Sequence, residues 1–225
     1  MNSEHFSPAS LEQELSPEIA QALQELDEFP DLRSSEKIDI LGVFIDLKSL
    51  AFIYDSFVKD VFPMPDLESL KKIVHKLGMN MIYKTNREND DQYNGSWQAI
   101  VSKSNKNIWH YLRMDMKETS RAIKARGALL GYPPSSTKAF LNEIDRLPDH
   151  TENQLIKDNP LVNFIGFILS TDHYQQEITD YVAPLAAATQ KYLPSTYTEK
   201  TKQSIISESP STNSTDSQSL LPPAP

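Results

Sequence analysis

The sequence of 225 residues contains no cysteine and only six glycines. Without cysteine the chain cannot form a disulfide, a thiolate metal site, an iron–sulfur cluster or a cysteine nucleophile. Six glycines are too few for a glycine-rich nucleotide-binding fold or a β-propeller. No apolar run reaches the roughly 18 residues of a membrane-spanning helix, because Asn163 and Gly166 interrupt the longest one, Leu161 to Leu169. Residues 1–10 carry no Lys or Arg and no apolar segment follows them, so we expect a cytoplasmic protein without a secretory signal.

The net charge of −9 is unevenly distributed along the chain. Residues 1–35 have a net charge of −7, whereas residues 36–194 and residues 195–225 each have a net charge of −1. A general nucleic-acid binder normally carries a basic surplus that offsets the phosphate charge. The sequence therefore predicts no general nucleic-acid binding. The remaining candidate partners are a small anionic ligand and another protein.

Composition predicts three regions. Residues 1–35 are expected to be a mobile N-terminus with an acidic amphipathic helix, which begins at Ser16-Pro17-Glu18 and ends before Pro30. That helix either packs on its own domain or detaches to bind a basic groove of a partner. Residues 36–194 are expected to form a single α+β domain. Residues 195–225 contain 13 Ser or Thr and four Pro, which is typical of a disordered tail.

The predicted fold is α+β, with a small sheet of three or more strands packed against a helical C-terminal half. Ile38 to Ile45 is rich in β-branched residues and is predicted to be a buried strand, followed by a helix over Leu50 to Phe62. Asp66 is expected to cap the next helix, which Gly78 ends, and Met79–Tyr83 and Trp97–Val101 are expected to form a hairpin. Later helices are predicted around the segments 108–127, 135–147, 160–169 and 171–192.

An anion site is predicted near the middle of the helical half. Lys117, Arg121 and Lys124 are spaced i, i+4 and i+7 and share one helix face. The chain then turns at Gly131-Tyr132-Pro133 into a helix start rich in hydroxyls, where free N–H groups suit an anion. The predicted ligand-binding residues are Lys117, Arg121, Lys124, Tyr132, Ser135, Ser136 and Thr137. In the alternative interpretation the hydroxyls cap the helix and the bases form a solvated face.

The run from Arg126 to Phe140 also carries a resemblance. It is similar to the signature of a group of uncharacterised prokaryotic proteins, in which a Leu-Gly-Tyr-Pro turn precedes a pair of cysteines and a phenylalanine. Here Ser135 and Ser136 stand at the cysteine positions. A hydroxyl does not replace a soft, ionisable thiolate in metal or redox chemistry. The resemblance therefore implies a shared fold more than a shared activity.

A serine-dependent reaction is the alternative chemistry. Ser135 or Ser136 could act with His173 and with Asp172 or Glu177, as in a hydrolase or transferase. His173 and Glu177 are spaced i, i+4, but a metal ion needs a third or fourth ligand, and no metal site or cofactor is predicted. Three hypotheses result: an intracellular binding or interaction protein without catalysis, the serine enzyme, and a degenerate family member that keeps only the fold.

Overall fold

A computed structural model describes residues 15–58, 64–87, 94–114, 119–164 and 166–206. Its helices are α1 (Pro17–Asp27), α2 (Ser34–Phe44), α3 (Leu67–Lys76), α4 (Asn105–Arg113), α5 (Ser120–Leu129), α6 (Pro134–Phe140), α7 (Asp149–Asp158), α8 (Tyr174–Glu177), α9 (Ala183–Tyr192) and α10 (Pro194–Ile206). Its strands are β1 (Ala51–Val58), β2 (Asn80–Arg87) and β3 (Asn94–Ser102). A 3-10 helix spans Pro160–Phe164 and a π-helical turn spans Ile178–Val182. The α+β prediction is confirmed, with a three-stranded sheet among the described residues.

The sheet is antiparallel in the order β1-β3-β2, so the predicted β2–β3 hairpin is confirmed. The register aligns Phe52 with Ile100 and Ile82 across the three strands. Because side chains alternate between faces, the neighbouring row, which includes Ile53 and Ala99, points to the opposite side. That side faces the main core with α1, α2, α3 and α9, whereas Phe52 and Ile100 face a smaller second cluster with α4.

Two predicted elements have the wrong type. The segment predicted as the Ile38–Ile45 strand lies in helix α2, and the segment predicted as the Leu50–Phe62 helix contains strand β1. Helix α2 is buried nearly all round, with Ile40 and Leu41 at 0% exposure, so its apolar residues run without the polar face that marks most helices. A short apolar run of this kind has the same pattern in a buried helix and in a buried strand.

The helical half also differs in detail from its prediction. The helix predicted from Ile108 to Ile123 is two helices, α4 and α5, and residues 115–118 between them lie outside the described residues. The apolar helix predicted after Asn159 is only the five-residue 3-10 helix. The predicted kink at Pro184 corresponds to the π-helical turn that joins α8 to α9. None of the helices in the described part of the chain is both long and apolar enough to span a membrane.

Packing selects the first of the two alternatives for α1 and changes the predicted boundaries near both ends. Helix α1 docks on its own domain, since Ala22, Leu23 and Leu26 are all buried in the main core, and the boundary at 35/36 falls inside α2. Residues 195–206, predicted to belong to a disordered tail, form most of α10. Residues 1–14 and 207–225 lie outside the described residues, and so do the remaining parts of those two predictions.

A buried carboxylate joins the two ends of the domain. Asp27, at the end of α1, is 6% exposed and accepts hydrogen bonds from the backbone N–H of Ser195 and of Thr196, both at 2.9 Å, and from the Thr196 hydroxyl at 2.7 Å. Burial by itself would raise the pKa of Asp27, but these hydrogen bonds outweigh it and hold the pKa below its usual value. Asp27 therefore caps the first turn of α10 across 168 residues of sequence.

We expect Asp27→Ala to lower the free energy of unfolding by about 2–3 kcal/mol, because it leaves buried N–H groups without an acceptor. Asp66→Ala is the matched control, since Asp66 caps α3 from a solvent-exposed position and its loss should cost about 1 kcal/mol. Urea denaturation measures both. A loss at Asp27 no larger than that at Asp66 would show that the bridge between the ends contributes little.

A second carboxylate makes stability depend on pH. Glu36 in the first turn of α2 is 7% exposed and accepts a hydrogen bond of 2.8 Å from the Arg33 N–H. Burial raises the pKa of Glu36 from 4.5 to about 7, against the opposing effect of that hydrogen bond. A raised folded-state pKa means that the native state holds the proton more tightly. Its stabilising contribution is complete below pH 4.5 and is lost as the pH rises through about 7.

Glu36→Gln should remove this contribution to the pH dependence. At about pH 8 the free energy of unfolding of the variant should exceed that of the wild type by on the order of 1–3 kcal/mol, and at about pH 4 the two values should converge. Thermal or urea unfolding of both proteins across this range measures the difference. Parallel pH profiles would contradict the assignment.

Candidate functional site

The Gly131-Tyr132 turn is built as a helix C-terminal cap. The N–H of Tyr132 donates to the carbonyl of Gly127 at 2.9 Å and the N–H of Gly131 donates to the carbonyl of Ala128 at 3.3 Å, the hydrogen-bond pair of a Schellman motif at the end of α5. Gly131 has a φ of +72°, which a residue with a side chain adopts only under strain. The glycine of the signature therefore has a structural role in this chain.

The hydroxyls that follow the turn are engaged inside the protein. Ser135 donates to Oε1 of Glu177 at 2.5 Å, and Ser136 and Thr137 are 2% and 6% exposed. The Thr137 hydroxyl donates to the carbonyl of Pro133 at 3.3 Å. Helix α6 begins at Pro134, so neither Ser135 nor Ser136 is its N-cap residue. The structure thus places the predicted hydroxyls in the first turn of a short helix, with a carboxylate beside Ser135.

Glu177 is the centre of this network. It is 2% exposed, and its carboxylate also accepts hydrogen bonds from the N–H of Ser170 at 3.0 Å and the hydroxyl of Ser170 at 2.8 Å. Three donors satisfy a buried carboxylate that would otherwise be costly to bury. The network joins α6, the isolated bridge between Arg146 and Ser170, and α8.

The predicted catalytic residues are only partly brought together. Ser135 meets Glu177, but Asp172 and His173 are exposed before the start of α8. Within the described segments no hydrogen bond joins His173 to Ser135 or Ser136. No group of three or more His, Asp and Glu side chains in those segments could hold a metal ion. The predicted arrangement places the His173 imidazole between the serine and the acid, whereas here Ser135 contacts the Glu177 carboxylate directly.

Among the described residues, no hydrogen bond or ion pair joins the predicted cations to these hydroxyls. Lys124 forms an ion pair of 2.8 Å with Glu143, and Arg121 is exposed on α5. Lys117 lies outside the described residues. Tyr132 packs on Phe167 with ring centroids 6.1 Å apart, and burial raises the pKa of its phenol.

The space beside the turn is nearly filled. A cavity of about 20 Å³ remains between the turn, Lys48 and Tyr181, which is enough for about one water molecule. Lys48 forms an ion pair with Asp39 beside this cavity. The contacts at the turn are therefore those of a packed corner.

A different surface is open and basic. The Trp109 surface comprises Lys106, Trp109, His110 and Arg113, four exposed residues of α4 that line a depression of about 440 Å³. The opposite side of α4 buries Ile108 and Tyr111 in the second cluster. Among the residues that the structure describes, no carboxylate pairs with Lys106, His110 or Arg113.

The segment that contains α4 is basic, although residues 36–194 as a whole have a net charge of only −1. Residues 92–142 carry eight lysines and arginines against two acids, a net charge of +6 in a chain of net charge −9. The surplus contains Lys117, Arg121 and Lys124 of the predicted anion site, and also Lys106 and Arg113, which that prediction missed. A charge profile over windows of about 50 residues would have found it.

Comparisons with known proteins bring no relative: no family model, no curated protein and no solved structure matches the chain.

The two helix-capping glycines provide a test of the packed corner. Gly78 ends α3 with a φ of +73° and the same pair of hydrogen bonds, but a Cβ there would meet nothing within 4 Å. A Cβ at Gly131 would lie 2.6 Å from the carbonyl oxygen of Leu47. We expect Gly78→Ala to cost about 1 kcal/mol and Gly131→Ala more than about 2 kcal/mol in unfolding free energy. Equal losses of unfolding free energy in the two variants would show that the structure around Gly131 accommodates a Cβ without strain.

Proposed function

We propose that this chain is an anion-binding interaction protein and that its ligand binds at the Trp109 surface. The single observation that carries the proposal is the group of three exposed bases on one side of α4 that have no carboxylate partner among the described residues. Charge-assisted hydrogen bonds from such groups to phosphate or carboxylate are among the strongest polar contacts that a surface offers. Neighbouring α5 contains no acidic residue that could pair with these bases.

The contacts favour this surface over the helix start at Ser135. An anion beside Ser135 would lie next to the buried Glu177 carboxylate, and like charges repel strongly where water is excluded. Helix α6 also has only seven residues. The binding hypothesis is therefore kept, with the ligand contacts moved from the hydroxyls of the turn to the bases of α4.

The engaged serines support the proposal that the turn persists as scaffold. Ser135 and Ser136 stand where the resembling family has cysteines, and their positions in α6 give them structural contacts that need no thiol chemistry. We propose that the resemblance reflects a shared fold of the α5–α6 corner.

The test is calorimetric titration of the full chain with inorganic tripolyphosphate at low salt, where surface charges are weakly screened. Lys106→Gln and Arg113→Gln should each weaken binding by about 3- to 10-fold, because each removes one charge-assisted contact. Lys72→Gln is the matched control, since Lys72 is exposed on α3 at the other side of the sheet, and it should change the affinity by less than about twofold.

A second pair of variants separates the two locations. Ser135→Ala and Lys124→Gln should leave tripolyphosphate binding unchanged. If these two weaken binding while Lys106→Gln and Arg113→Gln do not, the ligand lies at the turn and the assignment to α4 is wrong. Absence of any tripolyphosphate binding would contradict the proposed function.

A further inference from the structure

Trp109 lies largely outside the core of the protein. Its side chain is 60% exposed, whereas the second tryptophan, Trp97, is 2% exposed and lies in the main core. An indole ring carries a large apolar surface and a π-face that stacks on flat rings. Because most of the Trp109 side chain lies outside the core, it offers that surface to a ligand.

The three bases surround this ring at close quarters. Lys106, Trp109, His110 and Arg113 are spaced i, i+3, i+4 and i+7, so they share one face of α4 within about 10 Å along the helix axis. Their depression of about 440 Å³ falls within the usual range of small-molecule sites, roughly 300–1,000 Å³. A ligand that fills it meets one aromatic face and several nitrogen donors together.

We infer that the Trp109 surface binds a mononucleotide, whose base stacks on the Trp109 indole while Lys106, His110 and Arg113 contact its phosphate groups. Stacking on aromatic side chains is a general way of holding a nucleobase, and guanidinium and ammonium groups match phosphate oxygens. This inference rests on the proposed function, because it assigns a ligand class to the same surface.

The surface favours a single nucleotide over a nucleic-acid strand or a lipid membrane. A strand gains affinity from a series of stacking rings and from a long basic track, whereas this surface offers one exposed ring and three bases along about 10 Å of one helix. A membrane surface needs a convex apolar patch that enters the lipid. Leu112 is exposed on α4, but of the described residues that line the depression Trp109 alone has an apolar side chain.

The experiment compares ATP with inorganic tripolyphosphate on the full chain by calorimetry, with Trp109 fluorescence as a second readout. Because a stacked base adds its own contribution, ATP should bind at least about fivefold more tightly than tripolyphosphate. Trp109→Ala should abolish this difference and leave tripolyphosphate binding within about twofold, whereas Trp109→Phe should keep part of it. Phe140→Ala, which removes another exposed ring on α6, is the matched control and should keep the full difference.

Each other result overturns the inference in a recognisable way. Equal affinities for ATP and tripolyphosphate would remove the nucleobase contact but leave the proposed function standing, whereas binding of neither would remove both. Tighter binding of a single-stranded oligonucleotide of about ten residues than of ATP would assign the surface to nucleic acid. Binding to vesicles of anionic phospholipid that is lost in Trp109→Ala would assign it to a membrane.

Discussion

The candidate site depends on how α4 packs against the sheet. Ile108 and Tyr111 enter the second cluster with Leu50 and Ile100, and the Tyr111 ring stacks on Phe52 at 5.4 Å between centroids. With 3.6 residues per turn, fixing positions 108 and 111 inward fixes which positions of the helix point outward. Since the sheet has three strands in the described part of the chain, its second face is small, and the nine-residue helix α4 packs at its centre. The orientation of the basic side of α4 thus follows from the packing of Ile108 and Tyr111 in the second cluster.

Packing also separates the charges of the chain in space. The acidic helix α1 packs on the main core, on one side of the sheet, and α4 packs on the other side. The cap of α10 by Asp27 fixes α1 against the C-terminal end of the domain, and Glu25 of α1 pairs with Lys76 of α3 on the same side of the sheet. A protein with an acidic and a basic side orients an approaching anion toward the basic one. The net charge of −9 conceals this because it adds the two sides together.

The sequence was most informative where a local signal and the fold agree. The hairpin of β2 and β3 has clear alternation, α1 has Ser16 and Pro17 at its start, and α3 has Asp66 and Gly78 at its two ends. Helix α2 was predicted as a strand because its surroundings bury almost every side, and burial on all sides removes the periodicity on which the prediction depends. The contact of Asp27 with α10 could not be predicted, since it joins residues 168 positions apart.

The two candidate sites differ in the same way in how far the sequence reveals them. The turn at Tyr132 was singled out because its residues are unusual in sequence, and their contacts explain why: Gly131 adopts a positive φ, and Ser135 satisfies Glu177. Most tryptophans are largely buried, so the sequence gives no reason to expect Trp109 at the surface, and only the packing of α4 shows that it is 60% exposed.

Binding a ligand requires groups whose bonding capacity the protein itself does not use. The Glu177 network meets every requirement of its own polar atoms, and no buried side-chain nitrogen or oxygen in the described residues lacks a partner. A ligand there would have to displace contacts already made, at the cost of leaving a buried carboxylate with fewer donors. At the Trp109 surface a ligand would displace only water from the bases, because no carboxylate of the described residues pairs with them. The exposed surface of α4 is the stronger candidate because a ligand there breaks fewer existing hydrogen bonds and ion pairs. The chemical character of the residues matters less than this difference.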